Sequence, residues 1–140
     1  MSVIQYAKLC GTVLLTGDGG RAALTEAADF APSIGLQLPG IDYFQIPHHG
    51  SRHNVSTNLL DRWLGPKHSE KPGSGHFTAV VSSALLDKVH PRKSVIRAFI
   101  HRGANVISTE GSSKRIGYNT PIREGWVRAT HEPYPEEQEE

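Results

Sequence analysis

The chain has 140 residues, with 15 Lys and Arg against 14 Asp and Glu, eight His and one Cys. That length suits one domain with a real core, and the near-balanced charge sets up no field that would mark nucleic acid or a membrane surface as the partner. A lone Cys10 rules out an intramolecular disulfide framework and any Cys-rich metal site; no stretch nears the roughly 18 apolar residues of a membrane span and no signal-peptide pattern opens the chain, so a cytoplasmic protein without membrane contact is expected.

Residues 2–6 and 11–15 read as two strands of a hairpin, with Lys8 and Gly11 as turn residues. Cys10 lies in the apolar-leaning run 6–15 and is expected to be a buried structural thiol. Residues 21–30, rich in Ala, Leu and Glu, predict a helix that Pro32 and Gly35 end. A short strand over 41–46 stops at Pro47. Leu59, Leu60, Trp63 and Leu64 carry helical spacing over 56–64, with Ser56 or Thr57 as cap and Gly65-Pro66 as terminator. An exposed loop over 67–75 then leads to a strand over 77–82. Helical spacing returns over 91–102 through Val95, Ile96, Phe99 and Ile100, with Gly103 as left-handed cap. Residues 105–109 and 114–118 are expected to pair as a terminal hairpin across Gly111. Trp63 and Trp126 are expected as core or interface anchors. The last nine residues hold five Glu and two Pro, so an acidic, disordered tail is expected within an extension over 121–140. The order of elements fits a layered α/β fold.

Two strings stand out chemically. Leu14-Leu15-Thr16-Gly17-Asp18 is an apolar strand that ends in a carboxylate among glycines, which allow a sharp turn and close approach to a ligand or ion. A turn Asp bonded to its own backbone accounts for the same string taken singly. Pro47-His48-His49-Gly50-Ser51 closes another strand. Neutral imidazoles suit divalent metals, and of two adjacent histidines one can ligate while the other orients it, contacts substrate or passes a proton.

Taken together and in this order, with a helix between them, the two strings resemble the later motifs of the metallo-β-lactamase superfamily. The nearest branch is the hydrolase domain of ComEC-type competence proteins. The resemblance rests on Gly17-Asp18, Glu26 in its helix, Pro47 to Ser51, Ser82, His90-Pro91, and Thr109 with Gly111. It implies that residues 1–120 form the second half of an αβ/βα sandwich, a mixed sheet with helices packed on it. It further implies a hydrolase acting on phosphodiester or related ester bonds, nucleic acid included, through water activated by zinc or manganese. Asp18 would bridge two metal ions, and His48 or His49 would be a terminal ligand, with His48 the first choice. Asp18, His48 and His49 would form the catalytic set, and Ser51 and His90 would contact substrate. The family's Asn-x-Tyr-Gly before His-Pro is replaced here by Leu85-Leu86-Asp87-Lys88-Val89, which leaves Pro91 opening a helix as a competing account of His90.

The superfamily's N-terminal His-x-His-x-Asp-His string does not occur in this sequence. The metals are therefore expected to be incompletely held, the chain alone to be inactive, and the missing half of the fold or a second copy of the chain to be a partner. A non-catalytic binding or assembly domain on the same scaffold is the competing function. A nucleic-acid module using Arg52, Lys67, Arg92, Lys93, Arg97 and Arg102 is the weakest reading, because these charges are scattered and no aromatics are interleaved with them.

Overall fold

The computed structural model describes residues 2–117 and 121–137; Tyr118, placed above in a strand, and the end of the acidic tail at 138–140 lie outside the described residues. The chain is α/β, a mixed five-stranded sheet with three helices packed on it. Strands β1 (Gln5–Lys8) and β2 (Thr12–Leu15) form the expected antiparallel hairpin. Thereafter β3 (Tyr43–Ile46), β4 (Phe77–Val81) and β5 (Ala104–Ser108) add in parallel, giving the order β1-β2-β3-β4-β5. Helices α1 (Arg21–Phe30), α2 (Thr57–Leu64) and α3 (Lys93–Ile100) occupy the three crossovers.

Every crossover steps the same way along the sheet, and right-handed connections stepping one way lay their helices on one face. The burial pattern agrees. Leu14, Phe44, Ala79 and Val106 stand in register across four strands, and each is at most 1% exposed. They join one cluster with Leu24 of α1, Leu59, Leu60 and Trp63 of α2, and Val95, Ile96 and Phe99 of α3. Trp63 stacks edge-on to Phe44 and donates its indole N–H to the Leu24 carbonyl at 3.2 Å, so its one polar atom is satisfied in the core. Ser56 caps α2 by accepting from the Leu59 N–H, and Gly65 ends it at φ 93°.

The other face of the sheet is different. Val13, Tyr43, Thr78 and Asn105 form one row and Gln45, Val80 and Ile107 another, with Leu15 45% exposed beside them; Ile107 alone among these is buried. A ribbon of β6 (Lys114–Arg115) and β7 (Val127–Arg128) approaches one end of this face, leaving a groove between Arg115, Arg128 and the row Tyr43, Thr78 and Asn105. Among the described residues no helix is long and apolar enough to cross a membrane.

Several expectations are corrected. The terminal hairpin does not form: β6 pairs in parallel with β7, and the outer edge of β5 is used by the Glu132 N–H, which donates to the Val106 carbonyl at 2.7 Å. Residues 131–137 lie along α3 and β5 rather than free in solvent. The Tyr134 hydroxyl meets His101 Nε2 at 2.9 Å, and Arg97 donates to the Pro135 carbonyl at 2.7 Å. Composition alone missed this docking because a single aromatic, Tyr134, anchors it between Lys71 and Arg97. Cys10 is exposed, since it sits at the tip of an edge hairpin that no layer covers. Of the two tryptophans expected as core or interface anchors, Trp63 is in the core, and Trp126, 41% exposed beside Arg123, is not. Arg102, one of the six basic residues of the nucleic-acid reading, is 2% exposed and bonded to Asp61.

Candidate functional site

In a parallel sheet the loops at the carboxyl ends of the strands converge, and ligands bind there. Here Gly17 and Asp18 follow β2, His48 and His49 follow β3, His90 lies on the connection after β4, and Thr109 follows β5. Because β2 and β3 are paired neighbours, with Leu14 opposite Phe44, residues thirty positions apart in sequence are brought to one edge of the molecule. His48 Nδ1 lies 3.9 Å from Asp18 Oδ1. The His48 ring is 5.9 Å from that of His49 and 6.4 Å from that of His90.

The turn that carries Asp18 is built by neighbours the sequence argument did not single out. Gln45, in the middle of β3, accepts the N–H groups of Thr16 and Gly17 at 2.9 and 3.1 Å through its side-chain oxygen. The buried Thr16 hydroxyl donates to the Gln45 carbonyl at 2.8 Å. From the other side, the Asn54 amide donates to the carbonyls of Asp18 and Gly19. The carboxylate of Asp18 therefore projects from a backbone held at both ends.

The histidine loop is strained and braced. His48 and His49 take φ values of 46° and 56°, the left-handed region that side chains other than glycine rarely adopt. Such residues cost about 1–3 kcal/mol each and persist only where the surroundings fix them. The braces are the His48 N–H to the Gly17 carbonyl at 3.0 Å, the Ser51 N–H to the His48 carbonyl at 3.0 Å, and the Arg92 N–H to the Gly50 carbonyl at 3.2 Å. Gly50, at φ 84°, packs so closely on Pro91 that a Cβ there would stand 2.6 Å from the Pro91 Cβ. That contact locks the His48-His49 loop to the His90-Pro91 segment.

Two imidazoles have a defined donor nitrogen. His49 Nδ1 is 2.9 Å from the Ser82 carbonyl, an acceptor only, so this nitrogen carries the proton. His90 Nδ1 is 3.1 Å from Asp87 Oδ2. The backbone N–H of Val89, and after it that of His90, hold the Asp87 carboxyl below its ordinary value. Asp87 is thus a carboxylate at neutral pH and His90 donates to it from Nδ1. Asp87 and His90 stand three residues apart in the sequence, a spacing that one turn can close.

Of the predicted site residues the structure gathers Asp18, His48, His49 and His90. Ser51 is not presented with them: it is buried, and its hydroxyl accepts the His53 N–H at 3.3 Å. Glu26 lies on the exposed side of α1. The donor set does not fit a complete metal centre, because no group of three or more His, Cys, Asp or Glu side chains able to hold an ion occurs among the described residues. Asp18 and His48 are 61% and 48% exposed, so the site excludes little water. Clefts lie elsewhere, a small one between residues 71–75 and 131–134 and one of about 580 Å³ under the β6/β7 ribbon. They bear on packing of the C-terminal segment and not on this constellation. Comparison with protein-family models, with curated proteins and with solved structures returns no match for this chain.

Proposed function

We propose that this chain supplies the C-terminal portion of a metal-dependent hydrolase of metallo-β-lactamase type, acting on phosphodiester or related ester bonds. The observation that carries this reading is the pairing of Asp18 with His48, 3.9 Å apart on adjacent strand ends and held by a strained, braced loop. Strain of that kind is retained where a side chain must be aimed. His48 is the donor best placed to act with Asp18, while His49 and His90 flank them. The open site and its short donor set argue that further ligands come from a second layer seated on the uncovered sheet face, either another segment or another copy of the chain. The chain by itself is then inactive, and zinc or manganese is the metal class that these imidazole and carboxylate donors suit.

Metal content and hydrolysis of a simple phosphodiester test the reading, first on the chain alone and then with a polypeptide supplying a His-x-His-x-Asp-His half. Activity is expected only in the combination, and Asp18→Ala should lower it by at least roughly a hundredfold, the scale that loss of a supporting residue alone reaches. Tight metal binding with undiminished activity in Asp18→Ala would sink the proposal. A second reading, a non-catalytic assembly domain, draws on the absence of a three-donor cluster among the described residues. It predicts partner binding that survives Asp18→Ala and His48→Ala together, with no hydrolysis in any combination.

A further inference from the structure

Asp87 and His90 form an arrangement that the resemblance does not supply, since the family pattern has neither this Asp nor its spacing to the histidine. Three bonds converge on one carboxylate. Asp87 Oδ1 accepts the N–H groups of Val89 and His90 at 2.8 and 3.0 Å, which folds residues 87–90 into a tight turn, while Oδ2 faces His90 Nδ1 at 3.1 Å. A carboxylate whose other oxygen is already filled by two backbone donors has little freedom to rotate away. Both partners are only about a third exposed or less, the side chains being 26% for His90 and 33% for Asp87.

Which imidazole nitrogen bears the proton is set by the bond that the other makes. With Nδ1–H committed to Asp87, the neutral ring has its lone pair on Nε2. The ring stands 6.4 Å from His48, and Pro91, the next residue, is clamped against Gly50 of the histidine loop. We propose that Asp87 is a positioning residue that fixes the ring and tautomer of His90, so that Nε2 serves as a hydrogen-bond acceptor beside His48 for a water or for a hydroxyl of a phosphate-bearing ligand. The role of that ligand rests on the reading given under Proposed function; the positioning by Asp87 does not. His49, with Nδ1 given to the Ser82 carbonyl, presents the same tautomer, its ring 5.9 Å from that of His48.

Long-range proton–nitrogen NMR of the histidine rings in the full chain, recorded above the pH at which imidazoles titrate, reads the tautomer directly. In the wild type, His90 is expected to carry its proton on Nδ1 and to show an unprotonated Nε2. Asp87→Asn keeps an oxygen for the two backbone N–H groups but turns an amide donor toward Nδ1, which selects the opposite tautomer without rebuilding the turn. His90 should then change to Nε2–H while His49 stays as it was. A wild-type His90 protonated on Nε2 overturns the proposal, even where the variant fails to fold. An unmoved His90 in a folded Asp87→Asn protein overturns it as well. Inorganic phosphate, whose P–OH is a donor, should shift the His90 Nε2 resonance in the wild type and bind roughly ten- to a hundredfold more weakly to Asp87→Asn, as expected for loss of an orienting partner. Equal phosphate affinity in the two proteins overturns the acceptor role. A tautomer that changes as expected, with no phosphate response in either protein, supports the positioning by Asp87 and overturns the acceptor role of His90 toward a phosphate-bearing ligand, whereas the hydrolase reading fails only if the combined halves are inactive.

Discussion

Gly50 shows how a single residue can carry the geometry of the site. Its φ of 84° and its contact with Pro91 both exclude a side chain, and between them they join the loops that bear His48 and His90. Gly50→Ala should therefore cost about 2–5 kcal/mol, the sum of a left-handed backbone and an overpacked contact. Chemical denaturation measures it, and a change under about 0.5 kcal/mol, the scale of a neutral surface substitution, would show that the two loops are not locked together. Asp18, His48 and His49 were legible as candidates because their residue types end apolar runs, and His90 only by its place in a motif. Gln45 and Asn54 were not, because the side chain of each acts through two hydrogen bonds to a distant strand end; the bonds of Asp87 are local, and only the placing of the His90 ring beside His48 gives them a role at the site. Ser51 was legible only by its place in a motif, and its hydroxyl is spent on the backbone of His53.

At the scale of elements, the helices were the most readable part. α1 falls where its Ala, Leu and Glu content puts it, and the four apolar positions of α2 and of α3 are the ones that the core buries. Periodicity reports a face, and these faces have a core to meet. The C-terminal ribbon was misread because pairing is decided by which strand edge is free. The β5 edge is met by Glu132, so β6 turns to β7. Between α2 and α3, Arg102 donates from Nε to Asp61 at 3.0 Å and also reaches the carbonyls of Thr57 and Ala98. With an Arg side chain 1% exposed, Asp61→Ala should destabilise by about 3 kcal/mol, because it leaves a buried charge without its counterion. Asp29→Ala removes the exposed pair with Arg62 and should cost about 0–1 kcal/mol. Equal losses in the two variants, compared by urea denaturation, would show that the Arg102 bond adds no more than a surface pair.

The whole molecule is asymmetric about its sheet. One face carries the three helices and the core, and the other carries Val13, Leu15, Tyr43 and Val80 with partial cover only. Parallel strands are ordinarily covered on both faces. The chain exposes 8930 Å² where a compact monomer of 15.3 kDa exposes about 7,100 Å². A second layer on the open face would account for part of that surplus, together with the extended C-terminal segment. Leu15→Lys should change the stability of the isolated chain by less than about 0.5 kcal/mol, as surface substitutions do. It should abolish whatever association light scattering detects, and persistence of that association would place the contact elsewhere. The sequence by itself determined the α/β class, the helix faces and the placing of Asp18, His48 and His49 at strand ends, because hydrophobic period and chain punctuation are local properties. Only the tertiary structure decided that Asp18 and His48 meet while Ser51 is buried, that His90 is brought beside His48, and that one face of the sheet stays open. Those outcomes depend on strand order and on hydrogen bonds between distant segments, which no local pattern encodes.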